Sequence, residues 1–222
     1  MKIIKAMFLI SSLTVFVLIY GCSASNTVKG GVIGGVSGGV VGGVIGNELG
    51  NTAMGAIIGA AVGGTAGVLI GNHMDKQAEE MENEIEGANV ERIGEGIRLT
   101  FDSGILFAYD SYNLQSQAKT NIYKLADILK KYPDSNILIA GHTDADGSDQ
   151  YNQTLSEQRA KAVSDYTLMQ GISSSRLSTV VLGENEPVET NATESGKKQN
   201  RRVEIAIFAN EDLKAAAERG EL

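Results

Sequence analysis

The chain has 222 residues, 27 of them acidic and 19 basic, for a formal charge of −8. That length holds one domain of ordinary size plus appendages, and an acidic balance without a basic tract argues against nucleic acid and against polybasic attachment to an anionic membrane. The single cysteine, Cys22, excludes an intramolecular disulfide. The two histidines, His73 and His142, stand far apart, so no metal site or cofactor is expected.

Residues 1–21 read as an export signal. Lys2 and Lys5 give a positive start, and Ala6 to Tyr20 is an apolar run broken by Ser11, Ser12 and Thr14, short for a spanning helix. It ends in Ile19-Tyr20-Gly21-Cys22, which resembles a bacterial lipobox, with Tyr20 bulkier than the small residue usual there. The resemblance implies cleavage before Cys22, acylation of Cys22, and a lipidated tether over residues 22–29; Ser23 is permissive for outer-membrane sorting. Three acyl chains exceed what lasting anchorage needs. The plain alternative is an uncleaved anchor with an inert Cys22.

Residues 30–71 carry glycine every fourth position. Gly34, Gly38, Gly42, Gly46 and Gly50 form one row, with Gly31, Gly35, Gly39 and Gly43 beside it. Gly55, Gly59, Gly63, Gly67 and Gly71 form a second arm beyond Asn47–Asn51. Spacing by four places each row on one helix face, and small faces let backbones approach closely. The spacing predicts a helical hairpin. Each interior glycine costs a water-exposed helix roughly 1 kcal/mol relative to alanine, whereas in a bilayer the helix is the only way to satisfy the backbone. The segment resembles the glycine-zipper region of some outer-membrane lipoproteins, which implies membrane-inserted or membrane-apposed packing and a possible homo-oligomer. A flexible spacer, or a soluble hairpin buried against protein, stays open.

Residues 72–88 are polar and acidic, with Met74, Ala78, Met81 and Ile85 three or four apart, which predicts a helical stem. Strands are predicted at Val90–Ile93 and Ile97–Phe101 around Gly94-Glu95-Gly96. An amphipathic helix follows from Gln115 to Lys131, with Ile122, Leu125 and Leu129 inward and Pro133 beyond its end. Ile137-Leu138-Ile139-Ala140 is a buried strand, and Gly141-His142-Thr143-Asp144 leaves it for a loop, so Asp144 sits past a strand's carboxyl end. Thr154-Leu155-Ser156-Glu157 has the capping-box form, which predicts a helix start near Thr154. Leu155, Ala162, Val163, Tyr166 and Met169 then share a face that includes Arg159. A strand near Leu177–Leu182, a polar loop over 183–200 and a last strand from Arg202 to Phe208 complete the domain; residues 209–222 are a charged tail. Strands alternating with helices predict an α+β fold with a mixed sheet.

A guanidinium on a core-facing stripe needs an anion or many acceptors. An internal Arg159–Asp144 salt bridge and an arginine reaching water at the stripe's edge are the plain readings. A binding site is the third. Gly141-His142-Thr143-Asp144, Tyr151-Asn152, Leu155-Ser156-Glu157-Gln158-Arg159-Ala160, Gly171-Ile172, Gly183-Glu184, Pro187 and Asn200-Arg201-Arg202-Val203-Glu204-Ile205 run in order and resemble the OmpA-like peptidoglycan-binding domain. The resemblance implies an OmpA-like βαβαβ domain over residues 89–208, with a mixed sheet and helices on one side, behind the glycine-zipper hairpin. It implies that Asp144 takes the ammonium and Arg159 the carboxylate of diaminopimelate in the peptidoglycan stem peptide, with hydrogen bonds from Asp110, Thr143 and Asn152. An arginine suits a carboxylate because its fork makes two parallel bonds. Arg201 and Arg202 match the family pattern and are expected to brace the 183–200 loop rather than touch ligand.

The expected role is a non-enzymatic tether: a lipoprotein of the outer membrane, anchored in the bilayer, with its C-terminal domain on periplasmic peptidoglycan. A wall hydrolase is the second reading. It lacks a Ser/His/Asp or Cys/His set, and Asp144 and Asp146 share one loop instead of flanking a cleft. A glycine-zipper pore or scaffold, with wall binding secondary, is the third.

Overall fold

The computed structural model describes residues 32–33, 51–108 and 110–222. The signal segment, Cys22 and most of the first glycine arm lie outside the described residues. Six strands form one sheet: β1 (Val32–Ile33), β2 (Ala88–Ile93), β3 (Gly96–Asp102), β4 (Ser135–His142), β5 (Leu177–Gly183) and β6 (Arg202–Ala209), in the order β1-β5-β4-β6-β3-β2. Only β4 and β5 are parallel, joined by a crossover helix, α5 (Asp149–Met169); all other neighbours are antiparallel. The β2–β3 hairpin turns at Gly94-Glu95, where Gly94 takes φ +54°.

Strand periodicity sends alternate residues of β6 to opposite faces. Val203, Ile205 and Ile207 enter the larger core with Ile97, Leu99, Phe101, Ile137 and Ile139. The short α3 (Ser103–Leu106) follows β3, and over that face lie α4 (Ser116–Lys131), through Ile122, Leu125 and Leu129, and α5, through Ala160 and Val163. Lys130 and Lys131 close α4, where cations favour the carbonyl end of a helix. This is the mixed α+β sheet with its helical layer that the alternation predicts.

The glycine-rich segment departs from the expected hairpin. Its second arm breaks in two: α1 (Thr52–Ala60) and α2 (Gly64–Glu84), with a corner at 61–63 where Gly63 and Gly64 take φ +70° and +62°. α1 lies on the opposite face of the sheet. Its Ala53, Ala56, Ile57 and Ala60 share a second core with Leu138, Ala140, Val180, Leu182, Ala206 and Phe208. α2 runs through the expected hairpin–stem boundary at 71/72. Its Ile70, Met74, Ala78 and Met81 are fully packed into the larger core, so the stem is part of the domain. Val32–Ile33, expected in a helix, instead pair with Val180 and Thr179 along the β5 edge; two β-branched residues among glycines supply the hydrogen bonds an open edge lacks. α1 thus meets protein through its alanines and Ile57, and β3 makes room for it: a Cβ on Gly96 would lie 2.6 Å from Ile57. No helix among the described residues is long and apolar enough to cross a membrane.

Two further expectations change. α5 begins at Asp149, five residues before Thr154, because the Ser148 side chain accepts from the Tyr151 N–H and caps the helix there. The charged tail forms α7 (Glu211–Arg219), capped by Asn210, with Leu213 and Ala217 buried in the larger core.

Candidate functional site

The carboxyl ends of β4 and β5 and the first turns of α5 are held at close quarters. Gly141 passes so near α5 that a Cβ there would lie 2.3 Å from the Ser156 carbonyl oxygen. The Ser156 hydroxyl accepts from the Gly183 N–H at 3.1 Å, and the Thr143 N–H donates to the Gly183 carbonyl at 2.8 Å. These contacts fix Thr143 and Asp144 at the mouth of a cleft of about 680 Å³. Asp110, Thr143, Asp144, Asn152, Arg159 and Arg201 all line it. The five residues expected to hold ligand therefore converge, although they come from three separate stretches of chain.

Arg159 is 5% exposed. Its Nε donates to the Ser111 carbonyl at 3.2 Å, and its guanidinium lies 5.4 Å from the centre of the Phe107 ring. Nη1 is buried without a hydrogen-bond partner. Burial lowers the Arg159 pKa from its ordinary value, while Tyr151 and Asp144 act in the opposite direction. The Thr143 hydroxyl is likewise buried without a partner, and Thr143 lines the same cleft. Buried polar atoms without partners are rare in folded proteins, and three of them, on Arg159, Thr143 and Ser103, belong to residues that line this cleft.

Asp144 pairs with Arg201, not with Arg159. Its second oxygen accepts from the Asp146 N–H at 3.1 Å. The expected loop-bracing is the work of the neighbouring residues. Arg202 donates to the carbonyls of Asn200 at 3.4 Å and Glu186 at 3.2 Å, and its Nε meets Glu204 at 2.7 Å. The Asn200 side chain accepts from the Val188 and Glu189 N–H groups and donates to Asn191, which in turn accepts from the Ala145 N–H. The 183–200 loop, whose α6 (Glu194–Asn200) the polar composition concealed, is thereby fastened to the Asp144 loop.

Asp110 takes φ +49°, the one non-glycine residue with positive φ among those described. Such backbone persists where its surroundings hold it, and here the Tyr151 hydroxyl donates to its carboxylate. Asn152 donates to Glu184 at 2.5 Å. Tyr151 and Glu184 thus orient two of the expected ligand residues. Both stand in the matched motifs, but no spacing rule pairs either with its partner. His142 packs on the far side of β4, beneath α1. It is fully buried, and burial, then the charge of Arg202, holds its pKa well below the ordinary value. Among the described residues no cluster of acidic, histidine or cysteine side chains could hold a metal ion.

Comparison with known proteins agrees with this geometry. Residues 106–201 match the OmpA family, and residues 1–75 match the YMGG-like Gly-zipper family. Probable lipoprotein YiaD of Escherichia coli is 34% identical over 140 residues, covering 62% of this chain and 64% of that protein. The peptidoglycan-associated lipoprotein of Legionella pneumophila is 39% identical over 104 residues, covering 47% and 59%. The chain thus spans less than two thirds of either relative. A crystal structure of a MotB-like protein from Desulfovibrio vulgaris superposes with a TM-score of 0.57 at 28% identity, over 64% of this chain and 98% of that one. The chain is therefore similar to the YMGG-like Gly-zipper family over its first 75 residues and to the OmpA family over residues 106–201.

Proposed function

We propose that the domain binds the free amino-acid end of diaminopimelate in the peptidoglycan stem peptide, and that acylated Cys22 ties it to the outer membrane. The observation that carries this is the unpartnered Nη1 of buried Arg159, with the unpartnered Thr143 hydroxyl, among residues lining a cleft that Asp144 also lines. A zwitterion supplies what both ends lack. Its carboxylate reaches Arg159 and Thr143, and its ammonium reaches Asp144, where Arg201 now supplies the positive charge. Arg201 is about one-third exposed and swings toward solvent as the ammonium enters.

Charge-assisted hydrogen bonds contribute roughly 1.5–3 kcal/mol each. Two or three of them give micromolar to millimolar binding once association costs are met. Many such sites on a polymer, held near it by a tether, suffice for lasting attachment. The matched relative named as a peptidoglycan-associated lipoprotein supports this reading. Asp144→Ala and Arg159→Ala are each expected to abolish co-sedimentation with purified sacculi while circular dichroism stays unchanged. Sacculi lacking diaminopimelate are expected to leave the wild-type chain in the supernatant. Continued sedimentation of both variants overturns the assignment.

A further inference from the structure

Carboxylates fasten α1 at its start, where the Asn51 side chain donates to Glu204 at 3.3 Å and Thr52 meets Glu186, and fasten the corner that follows it. Glu186 accepts from the Thr52 N–H at 3.0 Å and from the Thr52 hydroxyl at 2.5 Å, at the start of α1. Glu95, in the β2–β3 turn, accepts from the Val62 N–H at 2.8 Å and the Gly63 N–H at 2.7 Å, in the corner between α1 and α2. The N–H groups opening a helix have no partners within it and carry its positive end, so a carboxylate suits the start of α1, while Glu95 takes up two amides that no helix or strand satisfies. Gly67 is what lets Glu95 come so near, since a Cβ there would lie 2.2 Å from its oxygen.

Between these fastenings α1 holds the sheet with little. Its buried side chains are three alanines, one isoleucine and one threonine, whereas α4 presents Ile122, Leu125, Ile128 and Leu129. The outer side of the arm is apolar as well: Ile58 is 48% exposed and Val68 63%. A pair of left-handed glycines, Gly63 and Gly64, forms the joint between α1 and the deeply packed α2. A lightly held helix beside a flexible joint opens separately from the structure it covers.

We propose that α1 is a releasable cover, seated by Glu95 and Glu186, which leaves the sheet as a unit while the rest of the domain stays folded. Seated, it hides the apolar face around Leu138, Ala140, Val180 and Phe208. Released, it exposes that face together with its own Ala53, Ala56, Ile57 and Ala60. This does not depend on what the cleft binds.

Hydrogen exchange on the full-length chain in mild detergent tests the proposal. The Glu95→Gln, Glu186→Gln double variant is expected to speed exchange of the amides at 55–60 at least tenfold, with β4 and β6 amides unchanged. Ile57→Ala, which keeps both carboxylates, is expected to act in the same direction. Unchanged exchange at 55–60 in both proteins overturns the proposal. So does exchange at 55–60 that rises only together with that of β4 and β6, because α1 would then be an inseparable part of the domain.

Discussion

On one face of the sheet, Ile122, Leu125 and Leu129 of α4 share a core with Ile137, Ile139 and Ile205. On the other, Ala53, Ala56 and Ala60 of α1 share one with Leu138, Ala140 and Ala206. The first face is held by large side chains that fill space. The second is held by close approach, by Ile57 alone among large residues of α1, and by polar fastenings at its rim. A fully buried large aliphatic side chain contributes about 1.5–3 kcal/mol, and a methyl side chain far less. The same sheet therefore has a permanent layer on one side and a lighter one on the other.

The largest effect that separates the faces is expected from Leu125→Ala, which leaves a cavity among residues that cannot collapse into it. A loss of about 2–5 kcal/mol in global stability is expected from denaturant unfolding. A smaller effect comes from His142 on the second face. Its folded pKa lies well below 6.5 because it is buried, so below that pH the unfolded chain binds the extra proton. The sign follows: stability from this group is complete above about pH 6.5 and falls as pH drops below it. His142→Gln is expected to flatten that slope between pH 7.5 and 5.5; an unaltered slope places its origin elsewhere. Smallest is Ile57→Ala, for which global stability is expected to fall by less than half the Leu125→Ala change, since α1 opens before the rest. Equal losses would mean that the two faces are equivalent.

Much of this was legible in the chain. The run from Gly141 to Asp144 and the position of Arg159 placed the cleft, because a strand exit and a helix face are set by local spacing. The β2–β3 hairpin and α4 followed from alternation and from the 3.6-residue period. What stayed hidden depended on a choice of partner. Small residues at every fourth position suit a bilayer, another helix or a sheet equally well, and nothing in the spacing told α1 which apolar surface it would meet. The Asp144–Arg201 pair joins residues 57 positions apart, and only the β4–β6 pairing brings them together. Thr154 carried a helix-start signal yet sits inside α5, where its hydroxyl returns to the Gln150 carbonyl at 2.9 Å; Ser148 had the same capping chemistry and came first. Only Leu213 and Ala217 anchor α7, too few to reveal a docking face in a charged tail.

The seat of β1 on β5 sets a leash length. If Cys22 is acylated, as proposed, and Val32 is held at the sheet edge, ten residue steps separate lipid from domain. At no more than ~3.6 Å each they reach about 35 Å. If β1 and α1 both let go, the leash runs to Gly63, and its outer limit grows to roughly 150 Å by the same measure. Docking of the glycine-rich arm would thus determine how far from the bilayer the cleft can search.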